Sequence, residues 1–117
     1  MGALDGKVAI ITGCTADSIG RACAMSMAMM GAKVVVTGRK ENGGKETEQI
    51  IKDAGGKALF VRQDVTLEDD WQRVIQSTLD TYGRLDFLVN NAGEAIVKPI
   101  ADLTRGDLIF LRQVDLD

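Results

Sequence analysis

The sequence contains no histidine, one proline and two cysteines, and aromatic residues make up only 4% of its 117 residues. Without histidine, the chain supplies neither an imidazole base nor an imidazole metal ligand, and we expect no metal site. Cys14 and Cys23 lack the spacing of a disulfide or zinc site. We therefore expect reduced thiols and a cytoplasmic protein.

Long apolar runs and an excess of positive charge are also absent. No run is long enough to cross a bilayer, and the first residues lack the layout of a signal peptide. The net charge of −3 offers no electrostatic footprint for nucleic acid. We therefore expect no nucleic-acid partner and no membrane partner.

Strand-like and helix-like segments alternate along the sequence. Short apolar runs rich in β-branched residues are typical of strands that are buried on both faces. The predicted strands are Val8–Thr12, Val34–Thr37, Ala58–Val61 and Leu85–Val89. This order, with helical periodicity between the strands, predicts a single domain over residues 1–117. Its class is α/β, with a doubly wound parallel sheet and helices on both faces.

Four helices are predicted between and after these strands. The first ends at Gly31, and its predicted buried face comprises Ile19, Ala22, Cys23, Ser26, Met27 and Met30. The second spans Lys45–Ala54. The third is capped by Thr66 and ends at Gly83, and its predicted buried face comprises Trp71, Val74, Ile75, Thr78, Leu79 and Tyr82. A loop containing Pro99 precedes the last helix, which begins near Thr104.

The loop Thr12–Gly20 joins the first strand to the first helix, where a doubly wound fold places a pyrophosphate. Glycine permits a tight turn and a close backbone approach, and the free N–H groups of a helix start attract an anion. From this loop alone, a pyrophosphate-binding turn and an ordinary strand-to-helix turn are equally supported.

Three motifs together resemble the short-chain dehydrogenase/reductase family, and the resemblance covers nearly the whole chain. The glycine turn Thr12-Gly13…Ile19-Gly20 is similar to the family's TGxxxGIG, and Asn90–Gly93 is its NNAG motif. Asp64, in QDV, corresponds to the family aspartate that hydrogen-bonds adenine. The resemblance implies a Rossmann-like sheet of strand order 3-2-1-4, truncated after its N-terminal part.

The glycine turn departs from the family pattern in two ways. It carries one extra residue, and Ser18 stands where the family has its middle glycine. A serine there can cap the helix and still offer N–H groups to a phosphate. The charge of Asp17 would repel a nearby phosphate unless that side chain points to solvent.

The end of the second predicted strand favours NADP(H) over NAD(H). Enzymes that use NAD place a carboxylate there for the ribose 2′-OH. This chain has Gly38 followed by Arg39 and Lys40, so a 2′-phosphate is accommodated without repulsion. The alternative is that both cations are solvated loop charges. The predicted cofactor-binding residues are Gly13, Thr15, Ser18, Ile19, Gly20, Arg39, Asp64, Val65, Asn91, Ala92 and Gly93.

The resemblance implies hydride transfer between nicotinamide and a carbonyl or alcohol, assisted by Ser, Tyr and Lys. The family's Tyr-x-x-x-Lys pair lies on a later helix, beyond Asp117. Tyr82 is followed four residues later by Asp86, so we interpret it as a core residue. Asp115 stands where the family has a further asparagine. We predict no catalytic residue in this chain, and we interpret Cys14 as a loop residue without a nucleophilic role.

Two functional hypotheses follow. The leading one is the N-terminal, cofactor-binding portion of an NAD(P)(H)-dependent short-chain oxidoreductase, inactive as 117 residues and binding NADP(H) at best. The alternative is a non-enzymatic half-Rossmann module that binds or self-assembles. Leu85–Val89 would be an exposed apolar edge, and Ile109–Leu111 widen the apolar face of the last helix. We therefore predict a homodimer through strand 85–89 or helix 104–117. The substrate cannot be inferred from these residues.

Overall fold

The strands and helices alternate as predicted, with one further strand at the end. The structure, a computed structural model, describes residues 2–14, 19–90 and 96–99. Its elements are β1 Val8–Ile11, α1 Ile19–Met29, β2 Lys33–Gly38, α2 Glu41–Asp53, β3 Lys57–Arg62, α3 Glu68–Tyr82, β4 Phe87–Asn90 and β5 Ile96–Pro99. None of the helices within those ranges is long and apolar enough to span a bilayer.

The sheet has the strand order β3-β2-β1-β4-β5. The pairs β1–β2, β2–β3 and β1–β4 are parallel, which confirms the predicted order 3-2-1-4. The connections from β1 to β3 run in one direction across the sheet, and α3 returns the chain to the other side of β1. This arrangement is the doubly wound, Rossmann-like fold.

The predicted open edge at Leu85–Val89 is wrong, because β5 covers it. Strand β5 pairs antiparallel with β4, from Phe87 opposite Pro99 to Asn90 opposite Ile96. Five residues separate β4 from β5 in the sequence, and antiparallel neighbours need only such a short connection. Pro99 is therefore the last residue of a strand at the sheet edge, a position that tolerates its missing N–H.

The sheet is buried on both faces by two separate apolar layers. On one face, Ala9, Ile11, Val34 and Val36 pack beneath α1 and α2. On the other, Ile10 and Val35 pack with residues of α3. Because successive strand residues alternate between two covered faces, β1 and β2 read as continuous apolar runs.

The predicted buried face of α1 is largely wrong. The buried apolar and glycine positions are Gly20, Ala24, Met27 and Ala28, which recur at helical spacing. Of the predicted face only Met27 is buried, and Ile19 is 74% exposed. Small size does decide the contact, as expected, but it is Gly20, Ala24 and Ala28 that allow the helix to approach the sheet.

The other two helices differ from prediction mainly at their starts. Helix α2 begins at Glu41, four residues before the predicted start, so that Gly44 lies inside it. Gly44 packs against the Phe60 ring, where a Cβ would clash. Helix α3 begins after Leu67, and Thr66 does not cap it. Most of its predicted face is buried or half-buried, but Leu79 is exposed.

Candidate cofactor site

The carboxyl ends of β1, β2 and β4 define the candidate site. Strand β1 lies between β2 and β4, and the chain leaves β1 toward β2 before it later reaches β4 on the other side. In open α/β sheets, ligands bind at this switch point, beyond the carboxyl ends of the strands. The predicted residues Gly13, Arg39, Asp64 and Val65 all follow strands that end at this edge.

The first residues of the glycine turn are held by backbone hydrogen bonds to both neighbouring strands. The N–H of Thr12 donates to the carbonyl of Val89 over 3.0 Å, and the N–H of Cys14 donates to that of Thr37 over 3.0 Å. Between them, Gly13 has φ +71°, a region that disfavours residues with a Cβ. This geometry explains why glycine follows Thr12.

The remainder of the turn is described only where α1 begins. Gly20 is buried in the first turn of α1, and the largely exposed Ile19 precedes it. Thr15 and Ser18, as well as Asp17, lie outside the described residues. The predicted phosphate contacts of Thr15 and Ser18 therefore stay predictions.

Arg21 ties the glycine turn to α2, a role that sequence reasoning missed. Its Nε donates to the Thr47 hydroxyl over 2.8 Å, and that hydroxyl donates to the carbonyl of Cys14 over 2.5 Å. Arg21 is 8% exposed, and its Nη2 reaches the carbonyl of Gly43. A buried guanidinium needs such partners, but no local pattern in the sequence indicates that residues 26 positions apart meet.

Cys14, which we interpreted as a loop residue without a nucleophilic role, is part of the core. Its side chain is fully buried, and the thiol donates to the carbonyl of Ile11 over 3.2 Å. Burial raises the pKa of Cys14 to about 12. A thiol with this pKa is protonated at neutral pH and is not a nucleophile.

Asp64 and Val65 form a rigid turn between β3 and α3. The Oδ1 atom of Asp64 accepts from the Thr66 N–H over 2.9 Å and from its hydroxyl over 2.6 Å. These bonds to Thr66 hold the pKa of Asp64 below its usual value. The Asp70 carboxylate accepts from the Asp64 N–H, and the Trp71 indole donates to the Val65 carbonyl over 2.8 Å. The turn is therefore fixed from both sides.

The carboxyl end of β2 carries positive charge. Gly38 is buried, and Arg39 and Lys40 after it are exposed. Within the described residues, the Arg39 guanidinium makes no hydrogen bond or ion pair. The first carboxylate after β2 is that of Glu41, which pairs with Lys45 over 3.5 Å on the surface of α2. The site thus has an available guanidinium where NAD enzymes have an acid.

Tyr82 lies at the opposite end of the sheet from this site. It is the last residue of α3, immediately before the turn into β4. The ring is half-buried, with the Lys33 ammonium 5.7 Å from its centroid, and burial raises the pKa of its hydroxyl. Its predicted role as a core residue is confirmed.

The remaining predicted residues are not placed. Asn91, Ala92 and Gly93 lie outside the described residues, as do Asp115 and the predicted helix 104–117. The backbone of β4 runs to Asn90, directly before them. Among the described residues there is no group of acidic, cysteine or histidine side chains that could hold a metal ion.

Comparison with known proteins identifies the family. The sequence profile of the short chain dehydrogenase family matches residues 7–116. The chain belongs to this family. A relative from Thermotoga maritima, an uncharacterized oxidoreductase, is 46% identical over 88 residues, 75% of this chain and 34% of the relative. The NADP-dependent (R)-specific alcohol dehydrogenase of Lentilactobacillus kefiri is 40% identical over 116 residues, 97% of this chain and 44% of that enzyme.

Solved short-chain dehydrogenases share the fold. Glucose dehydrogenase of Caenorhabditis elegans in its apo form matches with TM-score 0.73 and 43% identity, over 79% of this chain and 40% of that one. A short chain dehydrogenase from Mycobacterium smegmatis matches with TM-score 0.78 and 30% identity, over 99% of this chain and 53% of that one. The family is one of oxidoreductases that bind NAD(P).

The chain spans less than half the length of each of these two curated relatives. One relative differs. The short-chain dehydrogenase/reductase homolog YusS of Bacillus subtilis is 39% identical over 98 residues, which are 83% of this chain and 89% of YusS. The part shared with the longer dehydrogenases is the N-terminal, cofactor-binding part of an oxidoreductase of this family.

The residues present fit a dinucleotide. Gly13, at the switch point, has a positive φ and no Cβ. Gly38, which is buried at the end of β2, also has no side chain. The adjacent cationic side chains complement a phosphate group. No described carboxylate other than that of Asp64 follows a strand directly at this edge, and its accepted bonds come from Thr66.

Proposed function

We propose that this chain is the cofactor-binding portion of an NADP(H)-dependent oxidoreductase that acts on a carbonyl or an alcohol. When bound, the cofactor would supply or accept the hydride. The chain's own residues bind and orient it: Gly13 allows the pyrophosphate to approach the backbone, and Asp64 and Val65 form the adenine side of the site. We further propose that residues 1–117 alone bind NADP(H) and turn over no substrate.

The observation that carries the cofactor preference is the end of β2. Arg39 is exposed there, without a protein partner among the described residues, and no carboxylate precedes it on the strand. A guanidinium binds a phosphate through charge-assisted hydrogen bonds, whereas it has no comparable partner in a ribose hydroxyl. The NADP dependence of the Lentilactobacillus kefiri relative supports the same preference.

Calorimetric titration of the chain with NADPH and with NADH tests this proposal. We expect tighter binding of NADPH, and we expect Arg39→Ala to weaken NADPH by about tenfold while NADH changes little. Lys57→Ala, which removes an exposed cation from the amino end of β3, away from this site, is the matched control. Equal affinities for the two cofactors in the unmodified chain would contradict the NADP(H) preference.

A second candidate is a non-enzymatic half-Rossmann module. The observation that favours it is YusS, a relative that this chain covers almost entirely. A chain that binds neither NADPH nor NADH at millimolar concentration would support this candidate over the first. NADPH oxidation without added protein partners, tested on a panel of aldehydes and ketones, would contradict the proposed lack of turnover.

Of the two predicted dimer surfaces, strand 85–89 and helix 104–117, we keep only the helix as a proposal. Strand β5 removes the edge of β4, and β5 itself ends in a proline, which blunts pairing with another chain. We therefore propose helix 104–117, with its apolar Ile109–Leu111, as the surface where two copies meet. A monomer mass by light scattering at micromolar concentrations would contradict this.

A cytoplasmic location, supported by the free thiols Cys14 and Cys23, is tested by cell fractionation.

A further inference from the structure

Arg39 and Arg62 lie at the same corner of the sheet although 23 residues separate them. The last pair of the β2–β3 ladder is Gly38 opposite Arg62, and Arg39 follows Gly38 directly. The N–H of Gln63 donates to the Gly38 carbonyl over 2.9 Å, which keeps the two strand ends together. The tertiary structure thus places two guanidinium groups at the edge where the cofactor site begins.

The Arg62 side chain is anchored in a way that leaves its charge available. Its Nε donates to the backbone carbonyl of Arg39 over 3.3 Å, and its two Nη groups have no partner among the described residues. The Arg39 guanidinium likewise makes no hydrogen bond or ion pair within the described part of the chain. Both are exposed, so a solute can reach them.

The charges around this corner do not neutralise the two arginines. Asp64 is near enough for both to contribute to its lowered pKa, but its hydrogen bonds come from Thr66. Arg73, a third cation here, is engaged by Asp70 over 3.4 Å and by the Arg62 carbonyl.

The acidic residue on the α2 side is also engaged. Glu41 forms its ion pair with Lys45 and not with either of the two arginines. In a chain of net charge −3, an excess of cations at one corner is a local feature that attracts an anion.

We propose that Arg62 is a second specificity-determining residue for the 2′-phosphate, which it binds together with Arg39. This inference rests on the proposed NADP(H) function and names a further residue for it. A phosphate dianion between the two guanidinium groups relieves their mutual repulsion and accepts hydrogen bonds from both. Arg62 contributes to the choice between the cofactors because it meets only the group in which they differ.

Calorimetry with adenosine 2′,5′-bisphosphate and adenosine 5′-monophosphate isolates this contact from the rest of the cofactor. We expect Arg62→Ala to lower the affinity ratio of the bisphosphate to the monophosphate by about three- to tenfold, with the monophosphate affinity unchanged. The effect should shrink as salt is raised, because the contact is exposed. Arg62→Lys, which keeps the charge, should restore part of the ratio.

Two further variants test whether a lowered affinity ratio is due to the loss of the Arg62 charge. Lys57→Ala removes one positive charge from the opposite end of the same strand and should leave the ratio unchanged. Arg62→Gln removes the charge but keeps a donor for the Arg39 carbonyl, so it should lower the ratio as Arg62→Ala does even if the alanine variant is less stable. Arg39→Ala, measured in parallel, reports on the proposed function.

The outcomes separate the two proposals. If Arg39→Ala lowers the ratio and neither Arg62→Ala nor Arg62→Gln does, the role of Arg62 is overturned and the NADP(H) proposal stands. If the unmodified chain does not prefer the bisphosphate, or binds neither nucleotide, both proposals are overturned. A lowered ratio in Arg39→Ala, Arg62→Ala and Arg62→Gln, with Lys57→Ala unchanged, supports the two-arginine site.

Discussion

The two ends of the parallel sheet handle charge in opposite ways. At the amino end, Asp86 accepts two hydrogen bonds from Arg84, at 2.9 and 2.8 Å, and a third from the N–H of Val8 over 2.9 Å. The Asp86 N–H donates to the Val8 carbonyl in return. This carboxylate aligns the starts of β1 and β4, and its charge is balanced.

At the carboxyl end, cationic side chains are exposed and polar side chains are enclosed in the core. Arg39 and Arg62 form no ion pair within the described residues, although Asp64 lies near both, whereas Thr37 and Gln63 are buried. The Thr37 hydroxyl donates to Gln63 Oε1 over 2.7 Å, and Gln63 Nε2 has no partner in the described part of the chain. The amino end balances its charge within the fold, whereas the carboxyl end, where we propose that the cofactor binds, has charged and polar groups that the described residues do not balance.

The largest expected effect concerns Cys14, which tests how tightly the carboxyl end is packed. A pKa of about 12 lowers its thiolate fraction roughly a thousandfold relative to an ordinary thiol. In a Cys23→Ser chain, a thiol reagent at neutral pH should therefore label almost nothing in the native state and one thiol after unfolding. Rapid labelling of the native Cys23→Ser chain would show that the glycine turn opens and is not part of the core.

The next effect should come from breaking the amino end. Asp86→Ala leaves the buried N–H of Val8 without its acceptor, and we expect a loss of about 2–3 kcal/mol in the free energy of unfolding. Urea unfolding measures it. Asp80→Ala, which removes only an exposed bond from Gln76, should change stability by less than about 0.5 kcal/mol. Equal losses in the two variants would contradict the role given to Asp86.

A smaller effect on stability should come from the buried polar pair at the carboxyl end, Thr37 and Gln63. Thr37→Val removes the partner of Gln63 Oε1 and should cost about 1–2 kcal/mol of unfolding free energy. Adding Gln63→Met replaces both partners by apolar groups, so stability should return toward that of the unmodified chain. A double variant as unstable as Thr37→Val would mean that Gln63 stabilises the fold through other contacts.

The smallest effect is a dependence on pH. Arg84 holds the pKa of Asp86 below its usual value, so the unfolded chain binds the proton more readily than the folded one. The resulting stability is present above about pH 4, the pKa of an unfolded aspartate, and is lost as pH falls through the folded value. Asp86→Asn should therefore be less stable than the unmodified chain at pH 7, and the difference should narrow toward pH 3.

The same pH series can also contradict this prediction. A difference between Asp86→Asn and the unmodified chain that stays constant from pH 7 to pH 3 would mean that the Asp86 charge does not stabilise the fold. The effect should be smaller than that of Asp86→Ala, because asparagine still offers an acceptor to Val8 and because Arg84 is half-exposed.

Local patterns predicted the elements well and the contacts between them less well. The apolar runs around Ile10 and Val35 identified buried strands, because a strand covered on both faces must be apolar at successive positions. The face of α1 was mispredicted because alanine, glycine and methionine occur all around this helix, so periodicity alone does not distinguish its sides. Strand β5 was missed because residues 96–99 form too short a run to be recognised, and one of them is proline.

The site divides in the same manner. Gly13 and Arg39 could be proposed from the sequence because they lie within two residues of the ends of predicted strands, and Asp64 because it matches the family's aspartate. Arg21 and Arg62 could not, since their partners Thr47 and Arg39 are 26 and 23 residues away. No short motif or periodicity in the sequence indicates contacts between residues so far apart.

The sequence by itself determined the alternation of strands and helices, the strand order and the family, because these depend on periodicity and on motifs a few residues long. Only the tertiary structure decided which face of α1 meets the sheet, how the edge of β4 is covered, and which cations stand together beyond β2. Those features depend on which side chains pack where separate segments of the chain approach, and packing is a property of the assembled sheet.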